Sequence, residues 1–170
     1  ALCVGPNIRY VLVNTFNPYT EEAVSLILAK DLLSAHFDMK DAKLQLSDYV
    51  KGKNLPFEVA GECSGKDLIN IKYEQLIPWT NPGEGAFRVI SGDFVTTEDG
   101  TGIVHIAPTF GADDDRVAKQ NGVPPMLLKD KDGNLQPMVD RTGKFYRLED
   151  LSPDYIKNSV NVDLYKSFAG

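Results

Sequence analysis

The residue types that could do chemistry are concentrated between Asp99 and Val117. This stretch reads DGTGIVHIAPTFGADDDRV, and it contains His105, two turns and three successive aspartates at 113–115. Imidazole and carboxylate groups serve in general acid–base catalysis, in metal binding and in holding amino groups. We therefore place the candidate site in this stretch.

His105 lies in an apolar run that predicts a strand. Ile103 and Ala107 share its face if side chains alternate with a period of two. A histidine with such neighbours is more often hydrogen-bonded in a core than functional. The alternative is a histidine that lines a pocket, and the spacing alone leaves both readings open.

The three aspartates open a predicted helix that Asp113 caps and that ends near residues 121–122. Capping and the helix dipole need only one or two of these carboxylates. One acid is therefore free to point back toward the strand end that carries His105, as a metal ligand, a general base or a clamp for an amino group. His36, the other histidine, lies in a different predicted element, which disfavours a metal site.

Other motifs carry weaker signals. Asp130 begins a run, DKDGN, that resembles a calcium loop, but Leu135 stands where that loop needs glycine and Arg141 where it needs glutamate. A hairpin turn is therefore favoured. The glycine pairs within 83–85 and 100–102 match neither the dinucleotide nor the P-loop pattern, and no nucleophile elbow is present.

Hydrophobic patterning predicts the elements that position these residues. Asn17 and Pro18 are typical of a helix start, and four apolar residues between 24 and 32 share one helical face. We therefore predict a helix from there to about His36, and a shorter helix over 41–50. The other predicted elements are strands at 8–14, 57–63, 68–73, 87–97 and 101–107, the last two forming a hairpin, a second hairpin of 126–129 with 136–139, a loop at 77–85 and a helical tail over 152–168.

The composition fits one globular domain. The chain has 170 residues, of which 42% are hydrophobic, and its two cysteines are too few for a disulfide framework. Strands outnumber helices and pair as hairpins, so we predict a mainly β α/β fold, an antiparallel β-barrel core with flanking short α-helices. Because the net charge is -6, binding RNA would need a local basic patch or another part of a larger protein.

The run at 100–108, GTGIVHIAP, continued by GADD at 111–114, resembles the signature of the editing domain inserted in isoleucyl-tRNA synthetases. The runs at 73–78 and 88–99 resemble the strands that precede this signature in the family. Valyl and leucyl enzymes carry lysine and methionine at the position of His105. Histidine followed by Ile-Ala-Pro therefore points to the isoleucyl type.

The resemblance covers about residues 1–148. It implies the synthetase editing-domain fold in a single domain over 1–170, whose tail at 149–170 leads back to the catalytic domain of the parent. The family's threonine-rich peptide, which precedes the first strand and contacts the substrate, is missing, as are the HIGH and KMSKS motifs of the synthetic site. We therefore expect an excised fragment, impaired in hydrolysis alone and unable to make aminoacyl-tRNA.

The family's chemistry implies hydrolysis of the ester that links a wrong amino acid, chiefly valine, to the tRNA for isoleucine, with valyl-adenylate as a further candidate substrate. By this resemblance Asp114 binds the substrate's α-ammonium group, and His105 shapes the side-chain pocket or contacts the terminal adenosine. These two are the expected catalytic residues, while water attacks and a tRNA hydroxyl helps to position it. The expected substrate-binding residues are Thr101, Gly102, Ile103, Val104, Thr109 and Phe110.

The resemblance also implies no metal and no cofactor in this domain, since ATP and magnesium belong to the parent ligase. The expected partners are the 3′ end of the mischarged tRNA and the remainder of the synthetase, in the cytoplasm and away from membranes. Two other classes stay open, a non-catalytic RNA- or protein-binding barrel and a metal-dependent hydrolase that uses His105 and the aspartates. Stoichiometric bound zinc or manganese would favour the hydrolase.

Overall fold

Within residues 1–166, which a computed structural model describes, the chain forms two compact units. We name them the sheet unit and the hairpin unit, and each has hydrophobic clusters of its own. The prediction of a single domain over 1–170 stays a prediction. The sheet unit comprises Leu2–Ile71 and Val89–His105, and the hairpin unit comprises Ala1, Lys72–Arg88 and the described residues from Ile106 onward.

The elements of the described residues are short, and only three strands of the sheet unit and two helices of the hairpin unit exceed four residues. The sheet unit contains β1 (Leu2–Val4), β2 (Arg9–Phe16), β3 (Ala23–Ala29), α1 (Leu33–His36), β4 (Glu58–Ser64), α2 (Gly65–Leu68), β5 (Val89–Ser91) and β6 (Ile103–His105), with 3-10 turns at Lys30–Leu32, Asp41–Lys43 and Leu46–Asp48. The hairpin unit contains α3 (Ala112–Gln120), β7 (Leu128–Lys129), β8 (Leu135–Gln136), a 3-10 turn at Leu148–Asp150, α4 (Pro153–Ser159) and α5 (Val162–Tyr165).

The sheet β5–β1–β6 places His105 on an edge strand. β1 pairs in parallel with β5 and antiparallel with β6, so Leu2 lies opposite both Val89 and His105. The predicted hairpin of 87–97 with 101–107 is therefore wrong. Both strands pair with β1, because this buried apolar strand needs backbone partners on each side.

The predicted helix from Asn17 to about His36 is wrong over most of its length. The side chain of Asn17 accepts hydrogen bonds from the N–H groups of Tyr19 and Thr20, as a helix cap would, but here the bonds close a turn. The chain then returns as β3, which pairs with β2 from Tyr10 to Phe16. Only the end of the segment is helical, as the turn Lys30–Leu32 followed by α1.

The predicted antiparallel barrel is also wrong. The described residues form a mixed α/β structure with two three-stranded sheets and one two-stranded hairpin, and none of these closes on itself. Several observed strands are shorter than predicted and too short to build a barrel wall. Of the predicted strand 87–97 only Val89–Ser91 is a strand, and the predicted strand 68–73 contains only an isolated β-bridge at Lys72. Just before the latter, Ser64 and Asp67 form a capping box that begins α2, whose last residue is Leu68.

Other predictions are confirmed or partly so. The strand at 8–14 is β2, the strand at 57–63 is β4, and 77–85 contains no strand or helix. The segment 41–50 holds two 3-10 turns in place of a helix. The tail is helical in α4 and α5, and the last residues of the predicted range, 167 and 168, lie outside the described residues.

The hairpin predicted around Asp130 is present as β7 and β8. One carboxylate oxygen of Asp130 accepts from the N–H groups of Asp132 and Asn134. These bonds lower the pKa of Asp130 from its ordinary value, with the bond from Asn134 as the main cause. The carboxylate thus serves the hairpin turn.

Among the described residues, no helix combines the length and the apolar character needed to cross a bilayer.

The turn before β6 leaves no room for a side chain at Gly102. Its φ is +72°, and an added Cβ would lie 2.5 Å from the Cβ of Ala29. Gly100 in the same turn has a φ of +64°, but an added Cβ there would meet nothing within 4 Å. Alanine substitutions at the two glycines therefore distinguish two losses of stability: the loss caused by a left-handed backbone alone, and the further loss caused by overlap with Ala29.

We expect Gly100→Ala to lower the free energy of unfolding by about 1–2 kcal/mol, because alanine disfavours a positive φ. Gly102→Ala should add about 1–3 kcal/mol to that loss, because it also overlaps Ala29. Urea denaturation of the two variants measures both losses. Equal losses would contradict the close approach at Gly102.

Candidate functional site

The predicted site residues belong to different units. Residues 101–105 close the sheet unit, whereas Thr109, Phe110 and Asp114 belong to the hairpin unit. Each half has its own geometry and its own hydrogen bonds.

His105 is the last residue of β6, and its side chain is exposed. The reading in which His105 is buried in a core is therefore wrong. The neighbouring Val104 is also exposed, by 37%, and β6 is an edge strand of its sheet. An exposed imidazole at a strand end can contact a ligand from solvent.

The residues before His105 differ in exposure. Thr101 is exposed, so its side chain can reach a ligand. Gly102 is buried, and Ile103 is half-buried against the hydrophobic cluster that contains Val4 and Tyr10. Of this group, Thr101, Val104 and His105 present the most accessible side chains.

The three aspartates have different partners. Asp113 forms an ion pair with Arg116 at 3.1 Å, and Asp115 forms one with Lys119 at 2.7 Å. Both pairs lie on exposed helix surface, where such pairs contribute little to stability. The predicted cap at Asp113 is wrong, because Gly111 occupies the N-cap position, while the predicted helix end is confirmed by the C-cap at Asn121.

Asp114 is the aspartate that turns back along the chain. Its Oδ2 atom accepts a hydrogen bond of 2.8 Å from the backbone N–H of Ala107, two residues beyond His105 in the sequence. The side chain is half-buried and lies in the first turn of α3, where the helix dipole favours a negative charge. A carboxylate has two oxygens, so Asp114 can fix the 107–111 loop and still accept from a ligand.

The loop between Ala107 and the helix carries two further predicted residues. The hydroxyl of Thr109 donates to the carbonyl of Met126 at 3.3 Å, which ties the loop to the chain after α3. Phe110 is 62% exposed. An exposed aromatic ring offers a stacking surface for a base or a sugar.

Within residues 1–166, no three or more His, Cys, Asp or Glu side chains are grouped so that they could hold a metal ion.

Tyr10 and His36 have no predicted role in the site, yet both contact the turn before β6. The hydroxyl of Tyr10 donates to the carbonyl of Gly102 at 2.6 Å, and His36 Nε2 lies 2.7 Å from the carbonyl of Gly100. These partners are 92 and 64 positions apart in the sequence, so no local pattern could signal the contacts.

Comparison with known proteins connects the whole chain to one enzyme. It is 63% identical over 171 residues to the isoleucine–tRNA ligase of Bacteroides fragilis and 55% identical over 172 residues to that of Porphyromonas gingivalis. Both matches cover 100% of this chain, and the chain spans about 15% of the length of each relative. The isoleucine–tRNA ligase of Cytophaga hutchinsonii is 54% identical over 165 residues, again with 15% of its length covered.

No family model matches the chain. A solved structure described as GlLeuRS-CP1 aligns with a TM-score of 0.47 and 19% sequence identity, covering 79% of this chain and 52% of that one. The resemblance to isoleucyl-tRNA synthetases thus depends on the sequence matches.

The Asp114–Ala107 bond predicts different effects for two substitutions. Asp114→Ala removes the acceptor, and we expect hydrogen exchange at the Ala107 amide to become about tenfold faster. Asp114→Asn keeps a carbonyl oxygen at the same place and should change this exchange much less. Amide exchange followed by NMR measures both rates, and Asp113→Ala is the matched control. Unchanged exchange in Asp114→Ala would show that this bond does not hold the loop.

Proposed function

Because the whole chain matches one segment of isoleucine–tRNA ligases, we propose that it is the editing domain of such a ligase. In this role it hydrolyses the ester between valine and the tRNA for isoleucine, with valyl-adenylate as a further candidate substrate. The observation that carries the proposal is Asp114, whose carboxylate is held by the Ala107 N–H at the start of a helix. The match in sequence supports the assignment to an isoleucine–tRNA ligase, and this carboxylate supports the proposed chemistry.

The physical need for editing comes from the small difference between the two amino acids. One methylene group in an apolar pocket is worth only ~1–3 kcal/mol, and isoleucine–tRNA ligases are themselves the standard illustration of this limit. A second site that admits valine and rejects isoleucine removes the errors that the first site leaves.

Asp114 binds the α-ammonium group of the misattached amino acid. An ammonium–carboxylate contact is a charge-assisted hydrogen bond, which is stronger than a neutral one and fixes direction as well as position. The Ala107 N–H holds Oδ2, so the carboxylate keeps one orientation while Oδ1 accepts from the ammonium group. The ester is then presented to water in a fixed geometry.

His105 limits the size of the side chain that the site accepts. Its ring is exposed at the end of a paired strand, so the backbone position is fixed while the ring remains available to a ligand. Thr101 and Val104 of the sheet unit, and Thr109 and Phe110 of the hairpin unit, are proposed to contact the substrate. Gly102 and Ile103 are proposed to contribute backbone groups next to Thr101 and Val104.

The proposal also covers how the tRNA is held, which cofactors are used and in which compartment the ligase works. The net charge of -6 gives this chain no long-range attraction for tRNA, so the rest of the ligase holds most of the tRNA. We propose that this segment uses no metal or cofactor, that ATP and magnesium serve the rest of the ligase, and that the ligase works in the cytoplasm. No observation on the described residues favours either of the two other classes.

The charge of Asp114 is tested in a full-length isoleucine–tRNA ligase that carries this segment. We expect Asp114→Asn to slow hydrolysis of valyl-tRNA roughly 10- to 100-fold, because a charge-assisted bond to the substrate is lost while residue 114 keeps an oxygen that accepts from the Ala107 N–H. Isoleucine activation should stay within about twofold, since the synthetic site lies outside this segment. Deacylation and activation assays measure the two effects.

Asp113→Asn is the matched control for that experiment, because it removes a neighbouring charge that is paired with Arg116. It should hydrolyse valyl-tRNA at the parental rate. If Asp114→Asn does the same, the role of Asp114 is wrong. If the unmodified ligase does not hydrolyse valyl-tRNA, the proposed function is wrong.

A second substitution tests the size limit. We expect His105→Ala to enlarge the pocket, so that correctly charged isoleucyl-tRNA is hydrolysed about tenfold faster relative to valyl-tRNA. His105→Gln keeps much of the bulk and should preserve the rejection of isoleucine. The measurement is the ratio of the two hydrolysis rates, and an unchanged ratio in His105→Ala would exclude His105 from the size limit.

A further inference from the structure

The turn at 100–102, which leads into β6, is bonded through three successive backbone carbonyls. In sequence order these oxygens contact the ring of His36 at 2.7 Å, the N–H of Ala29 at 2.8 Å and the hydroxyl of Tyr10 at 2.6 Å. All four segments belong to the sheet unit. Successive carbonyls of a turn usually face solvent, so three donors from other elements mark a fixed turn.

The three donors come from separate elements. Tyr10 lies in β2, Ala29 ends β3, and His36 ends α1. A displacement of the turn would therefore break bonds to three elements at once. The turn is also in close contact with β3, because Gly102 leaves no room for a Cβ beside Ala29.

The Tyr10 hydroxyl bridges two backbone groups in the core. It accepts from the N–H of Gly5 at 3.0 Å while it donates to the carbonyl of Gly102, and the side chain is 0% exposed. Burial raises the pKa of Tyr10, so the hydroxyl remains a donor at neutral pH. This bond is built into the core and cannot be removed without leaving buried polar groups unpaired.

His36 makes the most accessible of the three contacts. A carbonyl oxygen can only accept, so the Nε2 atom of His36 carries a proton and donates. This holds for the Nε2–H tautomer and for the charged ring alike. The side chain of His36 is exposed, so it can be replaced without opening a cavity.

We propose that His36 and Tyr10 are positioning residues for the hydrolysis: with the Ala29 N–H, they hold the turn 100–102 and thereby set the position of Thr101 and of β6, which carries His105. The inference rests on the function proposed above. Neither residue touches the substrate, and both act through the backbone of the turn.

The test uses a full-length isoleucine–tRNA ligase with His36→Ala. We expect backbone amides in 100–105 to exchange about fivefold faster, because one of three bonds to the turn is lost. The ratio of the valyl-tRNA to the isoleucyl-tRNA hydrolysis rate should fall by about the same factor. The reason is that Thr101 and His105, which are proposed to contact the substrate and to limit the size of its amino-acid side chain, are held less firmly. The KM for tRNA should not change.

Two variants serve as controls. His36→Gln places an amide N–H at nearly the reach of Nε2, and it should restore both the exchange and the rate ratio. Ser34→Ala changes another exposed residue of α1 and should leave both measurements unchanged. If His36→Ala only destabilised the fold, the hydrolysis rates of valyl-tRNA and isoleucyl-tRNA would fall together, and His36→Gln would not restore them.

Each outcome decides one point. If exchange in 100–105 is unchanged by His36→Ala, His36 does not hold the turn and the inference is overturned. If exchange rises while the rate ratio stays the same, the contact is structural only and the positioning role is overturned. If the unmodified ligase does not hydrolyse valyl-tRNA, the proposed function is overturned. If the unmodified ligase is active and His36→Ala changes neither the exchange in 100–105 nor the rate ratio, only this inference is overturned.

Discussion

Pairing on both edges of β1 is the constraint on which the sheet unit depends. Cys3 and Val4 in this strand are 0% and 1% exposed, so their backbone groups have no access to water and must bond to neighbouring strands. Burial also raises the pKa of the Cys3 thiol to about 11, which keeps it protonated and unreactive. β6 is one of the two partners, so backbone pairing sets the place of His105.

The features that could be predicted from the sequence are those fixed by nearby residues. The hairpin around Asp130 follows from one carboxylate that bonds to backbone groups within its own turn. β2 follows from a run of β-branched and aromatic residues. β3 could not be predicted, because its leucines and the Asn17 turn that precedes it are equally compatible with a helix. Pairing with β2 decides between strand and helix.

In the candidate site, too, the features fixed by nearby residues could be predicted and those fixed by distant contacts could not. The capping argument predicts that one of the three aspartates is free to turn back, and Asp114 does so through the Ala107 N–H. Exposure of His105 was not predictable from its apolar neighbours, because a strand's own residues do not show which of its side chains the rest of the fold leaves uncovered. The contacts of Tyr10 and His36 with the turn at 100–102 are invisible to any local pattern, since they are created by the fold.

The pairing of β1 has a consequence for the order in which the molecule folds. Turns such as that at Asp130 close within a few residues and form on the microsecond timescale. Leu2 has no partner until Val89 and then His105 have been synthesised, and its sheet has a high contact order. During translation β1 must therefore wait as an unpaired apolar segment, and the part of the candidate site that β6 carries is in place only after this last strand of the sheet has been synthesised.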